Sequence, residues 1–158
     1  MKNSANGNMY EVTLEETWEL FGSYLNGAKA GLVCIVSEKP LSAEAKSALE
    51  NSAAALGYGR AGCTFATLAD ADNKTALDAQ ALFLLIEGLD PLVVVATDAE
   101  AARSLGGAYR QDVPLDAPFR LFGRSAVAFA AFESLLENAQ SKQVAWALLK
   151  KLPKFGER

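Results

Sequence analysis

The sequence predicts an α/β domain of three layers, α/β/α, in which helices cover both faces of a short, mainly parallel central sheet. Three observations carry that expectation. Short apolar runs rich in β-branched residues (GLVCIV, CTFATL and LVVVAT) have the composition of strands buried on both faces. Segments with apolar residues at helical spacing lie between them. Their alternation is what a parallel sheet with crossover helices requires, and the crossovers are expected to be right-handed.

Residues 1–10 read as a loose polar arm. Thr13 and Glu16 have the spacing of a capping box, and Leu14, Trp18, Phe21 and Leu25 recur at helical intervals, which predicts a helix over 14–26 closed by Gly27 and Gly31. GLVCIV follows as a strand. Ser42 can cap a second helix whose apolar stripe is Ala45, Leu49, Ala53 and Leu56, with Gly57 as its stop. CTFATL reads as the next strand and ADADN as a polar loop. Thr75 with Asp78 repeats the cap spacing before ALDAQALFLLIEGL, a helix apolar enough to be buried along much of its surface. Pro91 opens the connection to the strand LVVVAT, after which Thr97 with Glu100 caps a short helix that stops at Gly106 and Gly107. FRLFG and SAVAFAAF are further strand segments, separated by a turn at Gly123. Val144, Leu148, Leu149 and Leu152 line a closing helix that Pro153 prevents from continuing.

With 158 residues, 51% hydrophobic and 22% charged, the chain reads as one soluble domain over 1–158, large enough to bury about two thirds of its unfolded surface. Its apolar runs are far shorter than the roughly 20 residues of a bilayer span, and MKNSANGNMYE is polar where a signal peptide needs an apolar region. No membrane association and a cytoplasmic location are expected. Cys34 and Cys63 lie inside apolar strand segments, where cysteine behaves as a small buried hydrophobe, so no disulfide is expected. The chain has no histidine, which removes the commonest general base, the commonest metal ligand and every Ser/His or Cys/His nucleophile pair. A net charge of −4 argues for weak or no nucleic-acid binding, because that affinity is carried by clustered Lys and Arg.

Three signals are better explained by structure than by function. GYGRAG, 57–62, matches GxGxxG letter for letter, but its glycines follow a helix and precede a strand, the reverse of a dinucleotide fingerprint, so a helix C-cap and turn are expected there. Leu82, Leu85, Ile86 and Leu89 are core packing. KKLPK, 150–154, is a basic helix end that complements the helix dipole.

Four segments in chain order carry a resemblance. VSEKPLSAE (36–44) sits where the uracil-DNA glycosylase superfamily has a G-E-x-P-G loop after its first strand. CTFATL matches that family's second strand in position rather than letters. ADADNKTALDAQALFLLIEGLDPLVVVATDAEAARSLGG (69–107) is similar to its N-R loop, long helix, P-K-V-I-V-A-L-G strand and following A-A-x-x-L-L-G helix. AFESLLENAQSKQVAWALLKKL (131–152) resembles the H-P-S-x-L-L motif and its K-x-x-x-W-x-x-L helix. Together they cover most of 31–152 and resemble most closely the family's iron–sulfur-containing bacterial and archaeal branch.

The resemblance implies a base-binding cleft at the carboxyl ends of the strands, which is also where open α/β sheets place ligands. In the family, a uracil is flipped from the stack, a carboxylate or amide of the first loop positions water, an Asn at the second strand reads the base, and a His stabilises charge on the departing base. On this chain the departures are severe. Glu38 and Pro40 keep their places, but Ser37 and Leu41 replace glycines, Lys39 adds a bulky charge, and the loop that supplies a stacking aromatic is missing before Ser42. Thr64 stands at the Asn position, beside Phe65. The His position falls on Ala131 or Phe132, neither of which can donate to an oxyanion. Loss of one such donor typically costs about 10²–10³ in rate. The N-terminal Cys pair of the cluster has no counterpart, and the later ligand positions fall on Leu68 and Asp78, so neither an iron–sulfur cluster nor any other metal or cofactor is expected.

Glu38 is therefore expected to be a vestigial catalytic position, with Ser37, Glu38, Lys39, Thr64, Phe65, Asp98, Phe132, Glu133 and Ser134 as the pocket candidates. The expected function is a non-catalytic glycosylase-like domain that binds a protein or small molecule. Two alternatives stay open: a divergent DNA glycosylase or nucleobase hydrolase using Glu38, and an unrelated flavodoxin-like domain. Strand order bears on the second. For the first, the discriminator is whether Arg60, Lys74, Arg103, Arg110, Arg120 and Arg124 converge on Glu38.

Overall fold

In a computed structural model, which describes residues 14–59, 62–69 and 75–155, the continuous apolar runs form strands because both of their faces are covered. Strand β1 is Leu25–Gly27, β2 Val33–Ser37, β3 Cys63–Thr67, β4 Val93–Ala96, β5 Ala117–Leu121 and β6 Arg124–Ala128. They form one mixed sheet of six strands in the order β1-β3-β2-β4-β6-β5. The inner four are parallel, and β1 and β5 run antiparallel along the two edges. Helices are α1 Leu14–Phe21, α2 Ala43–Ala55, α3 Ala79–Leu89, α4 Ala99–Tyr109 and α5 Ala139–Leu149.

Strand alternation sorts the core into two halves. Val33, Ile35, Cys63, Phe65, Val95 and Val127 pack against α2 and α5 through Leu49, Ala53, Leu148 and Leu149. Cys34, Val36, Ala66, Val94, Ala96 and Ala126 pack against α3 and α4 through Leu82, Leu85, Ile86 and Leu105, with Leu14 and Trp18 of α1 at the margin. The chain is thus a three-layer α/β domain. Both cysteines are free thiols, buried on opposite faces. Among the described residues no helix is long and apolar enough to cross a membrane.

Because β3 lies on one side of β2 and β4 on the other, chain direction across the sheet reverses between β2 and β4, the place where open α/β sheets leave a crevice at the strands' carboxyl ends. The four parallel strands follow the first four positions of a flavodoxin-like sheet, whereas the next position holds the antiparallel β5.

Several local expectations are corrected. The first helix ends at Phe21 rather than 26, passing through a 3₁₀ turn, Gly22–Tyr24, into β1. Leu25 is buried as a strand residue paired with Ala66, so its helical spacing from Phe21 is coincidental. Gly27 has φ +90°, and a Cβ there would sit 2.8 Å from the Phe65 ring. The caps of α3 and α4 are Asp78 and Asp98, each accepting from the backbone N–H three residues on at 2.8 Å, rather than Thr75 and Thr97. Helix α4 runs through Gly106 and Gly107 to a left-handed cap at Arg110. Gly106 admits the returning chain, since a Cβ on it would lie 2.8 Å from the Gln111 carbonyl. Val144 is exposed, so it does not share the buried stripe of α5. Thr13, most of ADADN and the Arg60–Ala61 pair of GYGRAG lie outside the described residues.

Residues Phe122 and Gly123 form the two-residue turn between β5 and β6, both with positive φ, 52° and 88°. This is the backbone a tight hairpin demands, and Asn-Gly is its usual occupant. The outer edge of β5 is shielded: Pro118 has no N–H, and the Arg120 carbonyl accepts from Gln111 Nε2 at 2.8 Å.

Candidate functional site

At the carboxyl ends of β2 and β4, the rim is built from backbone donors and carboxylates. Thr97 N–H donates to the Val36 carbonyl at 3.0 Å, which locks the two strand ends together. Asp98 follows. Its Oδ1 caps α4 by accepting from Ala101 N–H, while its Oδ2 accepts from Glu38 N–H at 3.0 Å and from Thr97 Oγ1 at 3.2 Å. Opposite, Glu133 accepts from Ser42 N–H at 3.0 Å and from Ser42 Oγ at 2.7 Å. Ser42 Oγ in turn accepts from Ala45 N–H at 3.1 Å as the cap of α2. Phe132 N–H donates to the Thr97 carbonyl at 2.9 Å, and the buried Phe132 ring meets Phe129 edge-on at 5.0 Å.

The fold therefore brings Ser37, Glu38, Lys39, Asp98, Phe132, Glu133 and Ser134 to one region. Ser37 and Phe132 are buried there, while Glu38, Lys39, Glu133 and Ser134 are exposed. Thr64 and Phe65 are not with them. Register pairs Thr64 with Cys34, three residues before Ser37, which places it about 10 Å back along the strand. Its hydroxyl donates to the Ala28 carbonyl at 2.5 Å and accepts from Gly31 N–H at 3.0 Å, so it ties the β1–β2 connection to β3. Phe65 packs into the α2 side of the core under Lys46, whose Nζ lies 5.5 Å from the ring centre.

The rim's chemistry follows from those bonds. Asp98 and Glu133 each use both carboxylate oxygens to fix helix starts and loops, interactions worth about 1 kcal/mol apiece. Using either as a base would release the backbone it holds. Glu38 differs: its backbone is pinned by Asp98 while its side chain faces solvent.

Nor do the described arginines gather at Glu38. Arg103 pairs with Glu100 on α4. Arg110 caps the far end of that helix, twelve residues and about 18 Å from Asp98. Arg120 and Arg124 belong to the β5–β6 hairpin, and Arg124 lies at the amino end of β6, the opposite end of the sheet. Arg60 and Lys74 lie outside the described residues.

Sequence reading missed a heavily bonded charge, that of Arg124. Arg124 Nε donates to the Pro91 carbonyl at 2.7 Å, and its terminal nitrogens donate to Glu87 at 2.7 and 3.4 Å and to Asp90 at 3.0 Å. Tyr109 OH donates to the same Glu87 carboxylate at 2.8 Å. The Arg124 and Glu87 side chains are only 11% and 13% exposed. Burial alone would lower the Arg124 pKa, but the Glu87 carboxylate outweighs it and holds the guanidinium above its ordinary value. Burial, aided by the bond to Glu87, pushes the Tyr109 phenol well above its usual range. These groups join α3, α4, the loop before β4 and the start of β6, and no local spacing announces them. Among the described residues, no group of three or more His, Cys, Asp or Glu side chains is placed to hold a metal ion.

No protein-family model and no curated protein sequence matches this chain.

Proposed function

We propose that this chain is a non-catalytic domain on a uracil-DNA glycosylase-like scaffold, working as a binding or interaction protein. One observation carries the reading: the two carboxylates that flank Glu38, those of Asp98 and Glu133, are committed to backbone and cap hydrogen bonds. A chain without histidine has no imidazole to stabilise a departing base, and a single carboxylate does not make a catalytic constellation. The gathering of residues 37–39 with 131–134 is in keeping with the order of the matched segments, whereas the inward place of Thr64 speaks against base readout by that residue. The described arginines, scattered away from Glu38, favour a protein or small-molecule partner over nucleic acid.

The deciding experiment is uracil release from single- and double-stranded DNA by the purified chain. No release above background is expected. Turnover that disappears in Glu38→Gln would overturn the proposal in favour of a divergent hydrolase using that carboxylate.

A further inference from the structure

A large groove lies at the other end of the sheet, and it is not built like the rim. It encloses about 700 Å³ between the loop before β4, the β5–β6 hairpin and the turn after α5. Three large apolar side chains on its wall stand open to solvent: Leu92 at 47%, Phe122 at 61% and Phe155 at 51%. Pro91, Pro153 and Tyr58 continue the apolar surface, with Tyr58 OH tied to the Pro153 carbonyl at 2.5 Å. On the far side of Phe122 a second groove of about 650 Å³ runs along Phe83, Tyr109 and Arg110. Phe122 thus stands as a wedge shared by both.

Phe122 is also held where a phenylalanine is disfavoured. Its φ of 52° suits Asn or Gly, and contacts with Phe83 and Tyr109 at 5.8 Å leave most of its ring uncovered. A bulky residue kept in a left-handed turn and presented to solvent points to a contact the free chain does not make.

Charge narrows the partner. The acids of the groove, the largely buried Glu87 and the exposed Asp90, are both held by Arg124. Arg120, Lys154 and Arg110 then stand around the two grooves, and among the described residues no carboxylate pairs with any of them. On a chain of net charge −4 this is a local cationic surface. Three cations beside apolar walls are too few for a phosphate backbone but suit carboxylates alternating with apolar anchors. Strand addition at the neighbouring edge is blocked by Pro118 and by Gln111, so a partner has to use side chains in the grooves.

We propose that this surface docks an extended acidic segment of a partner protein, its apolar side chains seated on either side of Phe122 and its carboxylates on Arg110, Arg120 and Lys154. The inference rests on the interaction reading above and supplies its site and partner class.

The test is fluorescence anisotropy with a labelled synthetic peptide of roughly ten residues, in which glutamates alternate with leucine and phenylalanine. Micromolar binding is expected, weakening at least about tenfold in Phe122→Asn, in Arg120→Gln/Lys154→Gln, and with the peptide's glutamates changed to glutamine. Added salt should slow association. Phe122→Asn suits the left-handed turn, so unfolding would not explain a loss. Equal affinity for the glutamine peptide, no binding at millimolar peptide, tighter binding of a labelled oligothymidylate, or self-association in sedimentation that Phe122→Asn abolishes would each overturn the proposal. The uracil-release assay stands apart from all of these: turnover there sinks the non-catalytic reading, while a silent peptide with no turnover sinks only the docking site.

Discussion

At the carboxyl end of the sheet, carboxylates near the surface accept from backbone N–H groups. At the amino end, a guanidinium shut away from solvent accepts the company of two carboxylates, a phenol and a carbonyl beneath an exposed apolar wall. The first arrangement is a set of separable caps, each satisfying donors that helices and loops leave over. The second is a keystone in which every member depends on the others, because a buried charge without its partner is costly. The contrast locates rigidity and open space at the same end, and it is not the end to which the glycosylase resemblance directs attention.

The sharpest way to break that contrast is to remove the keystone. Arg124→Met leaves Glu87 buried without its cation and should cost about 3–5 kcal/mol in urea unfolding, whereas Arg124→Met/Glu87→Met should recover most of the loss. A double variant as unstable as the single one would show that the pair is not the unit.

Alkaline titration sharpens the same comparison by pH. Burial pushes the Cys34 and Cys63 thiols up to about 12 from 9, and Tyr109 also rises. Groups with raised native pKa values hold their protons more tightly when folded, so their stabilisation is complete below the unfolded pKa and is lost as pH climbs toward the folded one. Stability should therefore fall between pH 9 and 12 by about 1.4 kcal/mol per pH unit for each thiol. Above pH about 10 Tyr109 should add to the slope, and Tyr109→Phe should remove that part. Asp98→Ala, at the other end, should leave the slope unchanged.

The smallest effect belongs to the rim itself. Asp98→Ala removes the α4 cap and the anchor of the Glu38 turn, and should cost about 1–2 kcal/mol while the domain stays folded. A loss as large as that of Arg124→Met would erase the distinction between the two ends.

Legibility in the sequence follows the range of the interactions. Strands β2, β3 and β4 and helices α2 and α3 were readable because apolar runs and periodic stripes are local signals, and the Ser42 cap was too. Strand β1 was not: its three residues are extended because they pair with β3, and a leucine at helical spacing says nothing of that pairing. The caps of α3 and α4 shifted from threonine to the aspartate that immediately precedes each helix, a competition that spacing alone leaves open. The rim residues near 38, 98 and 133 came together because strand ends in such a sheet must, whereas Thr64 was misplaced because its register, not its position in the motif, decides which end it serves. The Arg124 network draws on residues 87, 90, 91 and 109, and only the folded chain makes them neighbours.

The shielded border of β5 has a consequence for life in crowded solution. With a proline and an occupied carbonyl along its outside, that strand offers an incoming chain a broken ladder, which discourages the stacking that starts fibrils. A domain can then leave greasy side chains uncovered for recognition without turning its sheet into a template for its own kind.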